Sequence, residues 1–422
     1  MRFVHLILAT ALVACGGTEP AELPPDMPAD LGAAEGTGDL GAPEARDRFG
    51  LHVGTTGGDA TGLVLLVDDV TAEGELDLAT GLTVERGSNV FASPFLPDRF
   101  FVFDGAQPVL TRYRVTPDGR FEEEEQLAFP GLLTPPRFLA PASFVFADER
   151  RAYLFDAFAA ELILWDPVEL SVIDAIAVPT EDVPGPNLLP LVAVEPGRAG
   201  QRVVYPISFA NSVTDIAHPR TLVAVLDTET DSLETLLVTE TCGYLRHVWI
   251  TEDGDALLST DIFSTAVNFA SEGARAGPSC VLRLDLETMT LDDAPVLAEG
   301  EALGGNPGGS FAFVSDDRAF VRVLDLDALP DGGALTTVEL TNGAYWRWGF
   351  VDGLDGASFR FVEGATLGTG FARALTVHGR RLSTEPIGTD AGTRVVELGV
   401  DGSRRPGVRT GQNLLHVFAL RY

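Results

Sequence analysis

HVWITEDGDALLSTD, residues 247–261, reads as two short apolar strands folded about a turn of Asp and Gly. Four or five apolar or β-branched residues on each side of such a turn are too few for a helix and suit a hairpin. The same unit recurs along the chain as FASPFLPDRFFVFD (91–104), SFVFADERRAYLFD (143–156), LVAVEPGRAGQRVVYPI (191–207), SFAFVSDDRAFVRVLD (310–325) and YWRWGFVDGLDGASFRFV (345–362). A more divergent copy is TRVVELGVDG (393–402) with the later NLLHVFAL (413–420). The turns fall at Asp98, Asp148, Gly197, Asp253, Asp316, Asp355 and Asp401, an average step of roughly 50 residues, the period of a large repeat.

A second hairpin interleaves with the first: LTRYRVTPDGRFEEEEQLAF (110–129), LILWDPVELSVIDAIAV (162–178), LVAVLDTETDSLETLLV (222–238), VLRLDLETMTLDDAPVL (281–297) and ARALTVHGRRLSTEPI (372–387). Two hairpins per period make four antiparallel strands per repeat, the pattern of an all-β β-propeller whose small sheets bury their faces against their neighbours. The chain opens with one hairpin of the second type, LVLLVDDVTAEGELDL (63–78), and closes with one of the first, Thr393 to Leu420. Joined in one sheet, they complete a seventh four-stranded blade and leave no open edge at the seam. The stretch from Ser310 to Leu340 lacks a clear third strand, which leaves six to eight blades open.

Upstream of the repeats, MRFVHLILATALVA has Arg2 in a short charged start and an apolar run from Leu6 to Val13. The run is far shorter than the 18 or so residues that span a bilayer, so residues 1–14 read as an export signal. LVAC, Leu12 to Cys15, looks like a lipobox, with Cys15 as the lipidated first residue of the mature chain; the alternative is an ordinary signal with an incidental cysteine. Gly16, lacking a carboxylate, fits transfer to the outer membrane, facing either the periplasm or the exterior. Residues 15–50 are acidic and rich in Pro, Gly and Ala without hydrophobic periodicity, and read as a disordered tether. About 35 such residues reach roughly 30 Å. Gly36, Gly38 and Gly41 match a dinucleotide-loop pattern, but neither a strand nor a helix flanks them. The propeller domain is assigned to residues 51–422.

The chain carries 29 Lys and Arg against 62 Asp and Glu, for a formal charge of −33, and all 29 cations are Arg. Without lysine there is no Walker loop, Schiff base or lysine general base. The negative excess repels nucleic acid and anionic lipid head groups. The composition suits a soluble monomer held at the membrane by its lipid alone.

Cys242, in TETCGYLRH, lies between the outer strand of one repeat and the inner strand of the next, and Cys280 lies just before the third strand of that next repeat. Both connections emerge on one face of a propeller, so an exported chain favours a disulfide over two buried thiols. Such a bond contributes roughly 3 to 4 kcal/mol in the chain-entropy model and anchors the insertion DIFSTAVNFASEGARAGPS (261–279).

Known catalytic motifs (HExxH, GxSxG, CxxC, EF-hand) are missing from the sequence. A metal site gathered from separate blades, such as His247 with His416, competes with two packed histidines. Asp166, Asp227 and Asp285 recur where a turn needs an acceptor, and Glu122–Glu125 reads as a charged outer edge that discourages pairing. More suggestive are YLRHVW (Tyr244–Trp249) and YWRWGF (Tyr345–Phe350), each read as entering an innermost strand. Arg246, His247, Trp249, Trp346, Arg347 and Trp348 are therefore candidate ligand contacts, suited to an anionic or aromatic ligand. The alternative is that the tryptophans pack between blades.

TRYRVTPDGRFEEEEQLAFPG, AYLFDAFAAELILWDP, the Cys242/Cys280 pair around LRHVWITEDG, and VVELGVDGSRRPGV with its HVFALRY tail resemble the MxcI-type propeller lipoproteins found with myxobacterial siderophore genes. The resemblance implies an envelope lipoprotein associated with ferric-siderophore handling, partnered by a small-molecule ligand or an outer-membrane receptor; it carries no functional residues and names no cofactor. The competing classes are a propeller enzyme, such as a metal-dependent lactonase or a quinone-dependent dehydrogenase, and a structural surface protein.

Overall fold

The computed structural model describes residues 47–422 apart from 56–60, 86, 105–106, 130–143, 157–158, 181–188, 193–196, 212–215, 331–334, 355–357, 371 and 388–391. The export signal, Cys15 and nearly all of the tether lie outside the described residues. Seven antiparallel sheets form a seven-bladed β-propeller. From the inside outward, blade 2 uses Asn89–Ala92, Arg99–Phe103, Val109–Val115 and Phe121–Ala128. Blade 5 uses Leu245–Ile250, Ala256–Thr260, Cys280–Asp285, and an outer edge split between Thr290–Leu291 and Leu297–Ala298. Blades 3 and 4 lie between them in chain order.

Closure takes a different form from the expected two-plus-two arrangement. Blade 1 takes only its innermost strand, Asn413–Arg421, from the C-terminal end; Asp47–Gly54, Gly62–Val67 and Leu82–Val84 supply the other three. Propeller structure thus begins four residues before the expected boundary at Leu51. Phe49, Leu51 and Val53 alternate into the core, while Gly50 gives the segment a loop-like look. That glycine is required by packing, because a Cβ there would sit 2.1 Å from the Phe418 ring.

The order of hairpin types also changes after residue 325. Blade 6 pairs Gly308–Ser315 with Arg318–Leu324 as its inner hairpin and Trp346–Asp352 with Ser358–Phe361 as its outer one. YWRWGF therefore enters a third strand rather than an innermost one. Blade 7 follows with Ala374–Val377 and Arg380–Pro386 inside, Thr393–Leu398 and Arg404–Thr410 outside. The insertion between Leu324 and Trp346 contains the helix Thr337–Asn342 and hides the continuity of blade 6.

The core sits between blades. One cluster joins Phe101, Phe103, Phe144 and Trp165 between blades 2 and 3, and another joins Val64, Phe100, Phe418 and Leu420 between blades 1 and 2. Burying a large apolar side chain stabilises the fold by roughly 1.5–3 kcal/mol, so each interface needs only a handful of them. Asp166, Asp227 and Asp285 each accept backbone N–H bonds two residues on at 2.8 Å, as the turn reading expected. The Glu122–Glu125 run is exposed on the outermost strand of blade 2, as the charged-edge reading expected, and Glu124 there takes Arg112 at 2.7 Å and Arg99 at 3.0 Å. Among the described residues, no helix is long and apolar enough to cross a membrane.

Candidate functional site

In every blade the innermost strand leaves the same face, here called the cap face. Connections between outer and next inner strands, and between second and third strands, all return to it. In blades 4 to 6 that face is built up by insertions. Cys242 and Cys280 are disulfide-bonded with Cα atoms 5.5 Å apart, as the sequence led us to expect. Their loops touch backbone to backbone at Gly243 and Gly277, where a Cβ would lie 2.8 Å from the facing Cα. The insertion after blade 5's second strand becomes the helix Ile262–Ala270. Asp261 caps it by accepting the Phe263 N–H at 3.0 Å. Its apolar side packs with Leu324, Leu340 and Trp346 of blade 6.

Beneath this helix, at the axis, four blades contribute to one polar cluster. His247 Nε2 lies 3.3 Å from Asp261 Oδ2 and 3.2 Å from Ser310 Oγ. Ser310, in the innermost strand of blade 6, has φ +53° and also accepts the Ile262 N–H at 3.2 Å. Arg246 comes within 3.9 Å of Asp261, and its guanidinium lies over the Tyr244 ring at 5.5 Å. Burial pushes the Asp261 carboxyl up, but Arg246, His247 and the helix N–H outweigh it and hold the group well below the usual carboxylate range. Arg373 and Leu375, at the start of blade 7, line a small space of about 10 Å³ beside His247 and Ser310. That is room for about one water. On the blade 1 side His52 and His416 face each other in register. Burial lowers His52 to about 4; burial, then His52 and Arg373, lowers His416 to about 3.

Serine, histidine and aspartate within hydrogen-bond distance invite comparison with a hydrolase triad. A triad needs the serine on one ring nitrogen and the carboxylate on the other. Here both meet the same Nε2, and turning the ring over would still leave both at one end. The ionised Asp261 takes the Nε2 proton, and Ser310 Oγ is itself an acceptor for Ile262 N–H. The arrangement orders the helix N-terminus, Arg246 and His247, and its hydrogen bonds are not those of a hydrolase triad. Among the described residues no three His, Cys, Asp or Glu side chains are placed to hold a metal ion.

The six residues singled out from the sequence are dispersed. Arg246 and His247 reach the axial end of the cap face. Trp249 lies toward the other end of the same strand, half-buried, with its Nε1 donating to Asp316 at 2.9 Å. Trp346 and Trp348 are fully buried on the third strand of blade 6. Trp346 Nε1 donates to Leu340 O at 2.8 Å, and Trp348 packs between blades 6 and 7. Arg347 lies over Phe361 at 3.5 Å and pairs with Asp325 at 3.0 Å. Asp261, Ser310 and Arg373 were missed by sequence reasoning. The capping Asp just before an apolar run was the one local signal available for the first of them.

This site and ring define a seven-bladed β-propeller protein with a helical, disulfide-braced cap face. No protein-family model matches the sequence, and no curated protein matches it. Solved structures do. A protein from Lactobacillus plantarum is similar over 89% of this chain and 99% of its own, at 11% identity and TM-score 0.51. Hydrazine synthase from Kuenenia stuttgartiensis matches over 74% and 76% at 14% identity and TM-score 0.46. AztD from Citrobacter koseri matches over 90% and 98% at 10% identity and TM-score 0.44. At such identities the likeness is one of fold alone.

Proposed function

We propose that this protein is a non-catalytic binding propeller, exported and tethered to the outer membrane through a lipid on Cys15, that receives an anionic ligand on its cap face. The observation that carries the reading is the axial cluster, in which Arg246, His247 and Arg373 gather in a chain of formal charge −33. Buried Asp261 holds Arg246 and His247 in place, and a guanidinium fixed in a low-dielectric setting holds an anion more strongly than a mobile surface one. The space beside His247 takes about one water, so a larger ligand meets the face rather than entering the axis. A ferric tris-catecholate is the specific ligand class, because it presents negative charge and flat aromatic rims to guanidinium groups. The resemblance to siderophore-associated lipoproteins supports that choice.

The test is titration of the full chain with a ferric tris-catecholate, read by tryptophan fluorescence, beside Arg246→Gln and Arg373→Gln. Saturable quenching in the micromolar range, weakened tenfold or more in either variant, is the expected result. Flat fluorescence throughout that range refutes the ligand, and equal binding by both variants refutes the site.

A further inference from the structure

Most histidine rings in the described residues are hydrogen-bonded. His218 Nδ1 accepts the Arg220 N–H at 3.1 Å, His247 Nε2 meets Asp261 and Ser310, and His378 Nε2 lies 2.9 Å from Arg48 O and 3.1 Å from Leu420 O. The rings of His52 and His416 have no hydrogen-bond partner among the described residues, and they do not hydrogen-bond to each other. These are the two that face one another. They stand in register on neighbouring strands of blade 1, which puts both side chains on one side of the sheet with Cβ atoms about 4.5–5.5 Å apart.

We infer that His52 and His416 form a two-imidazole chelate for an exchangeable divalent metal ion, copper(II) in preference to zinc(II). The first argument is the missing bond. A neutral imidazole carries one N–H and one lone pair, so a purely structural pair facing each other would share an N–H···N bond. A metal ion instead takes a lone pair from each ring at about 2.0–2.1 Å per bond, a span that facing side chains can close. The second argument is room. His52 is 3% exposed, yet its Nε2 looks onto Gly62, where a Cβ would lie only 2.7 Å from that nitrogen and 2.6 Å from a Val84 methyl. The glycine leaves a space of atomic size at a ring nitrogen, between apolar neighbours. The third argument is protonation. Burial keeps both rings neutral at neutral pH, holding His52 to about 4 and, with His52 and Arg373 adding to it, His416 to about 3. Neither ring has a proton to lose before it ligates. His416 is half-buried and gives the pair its open side.

Charge acts both ways. A chain of formal charge −33 gathers cations, while Arg373 opposes a bare ion, though it is the weakest of the three influences on His416. Two imidazoles are fewer than a structural zinc site uses, so the remaining positions go to water or to an anion, which would also offset Arg373. Imidazole ligation and the Irving–Williams order put copper(II) ahead of zinc(II) and exclude calcium. The site is separate from the anion reading of the axial cluster and stands or falls without it.

The test uses the full chain, free of added histidines, titrated calorimetrically with copper(II), zinc(II) and calcium(II) beside His52→Gln, His416→Gln and the control His218→Gln. One copper(II) per chain should saturate in the micromolar range or below, with imidazole-nitrogen coupling in its electron paramagnetic resonance spectrum. Either chelate variant should weaken binding roughly tenfold or more, and His218→Gln should leave it unchanged. Zinc(II) should raise the melting temperature of the parent more than that of His416→Gln. If the buried His52→Gln does not fold, the half-buried His416→Gln carries the comparison. The assignment fails if neither copper(II) nor zinc(II) saturates, if bound copper(II) shows no imidazole coupling, if His416→Gln binds as tightly as the parent, or if calcium(II) displaces copper(II) at equal concentration, the mark of a carboxylate site.

Discussion

In blade 1 the ring is closed by an inner strand, Asn413–Arg421, laid against Asp47–Gly54 from Asp47↔Arg421 to Gly54↔Asn413. In blade 5 the strands are consecutive in the chain, yet the cap face above them carries a cystine, a capped helix and a buried ionised aspartate. The seam uses the same parts as every other blade: ladder bonds and apolar side chains shared with both neighbours, such as Val417 toward blade 7 and Phe418 toward blade 2. The cystine and the nine-residue helix have no counterpart elsewhere among the described residues, although buried carboxylates do, as at Glu385 against Arg404 in blade 7. Regular means suffice to hold the ring, so the specialised chemistry over blades 4 to 6 serves something other than closure. Positioning Arg246 and His247 is what it visibly achieves.

Deleting Asn413–Tyr422 strikes the comparison hardest. It strips Leu414, Val417, Phe418 and Leu420 from two interfaces and bares the Asp47–Gly54 edge to other chains. We expect loss of the cooperative melt and association in place of a folded monomer, read by calorimetry and light scattering. A truncated chain that still melts cooperatively as a monomer would mean that closure contributes little.

Next in size is the cystine. Cys242→Ser with Cys280→Ser should cost roughly 3 to 4 kcal/mol in urea unfolding, from a closed loop with a sequence separation of 38. Hydrogen exchange should then rise first in the Ile262–Ala270 helix and spare the seam. A uniform rise over all blades would show cap and ring to be one cooperative unit and erase the distinction.

Much of this was legible in the sequence, and the misses share a cause. Hairpin turns announce themselves because Asp166, Asp227 and Asp285 must accept backbone N–H groups. The cysteine pair was legible because its two loops share a face whatever the blade count. A strand's rank within its blade is different. Trp346–Asp352 alternates like an inner strand, and only the interposed helix Thr337–Asn342 makes it a third strand. The tryptophans there are interblade packing, which local pattern does not separate from a ligand platform. The axial cluster was half legible: Arg246 and His247 stand out as polar residues in an apolar strand. Ser310 and Arg373 arrive from later blades, and nothing near them in sequence points to His247.

The smallest effect separates seam from cap by pH. His52 is buried and held to about 4, and His416 opposite it to about 3, against about 6.5 in an unfolded chain. Both are neutral in the fold, and the unfolded chain binds more protons as pH falls below 6.5. The stability they contribute is therefore complete above pH 6.5 and drains away as pH falls toward their folded values. Asp261 has the same sign in another window: its contribution holds above the ordinary carboxylate range and is lost only as pH drops through and below it. Between pH 6.5 and 4.5 the stability contributed by the facing seam histidines is lost while that contributed by Asp261 is kept. Urea unfolding of His52→Gln should therefore recover on the order of 2 kcal/mol of the loss the parent chain suffers over that interval. The quantity to compare is the slope against pH, which any uniform cost of the substitution leaves untouched. Identical slopes in parent and variant would mean that the facing histidines are already reached by water, and that the seam opens locally at neutral pH.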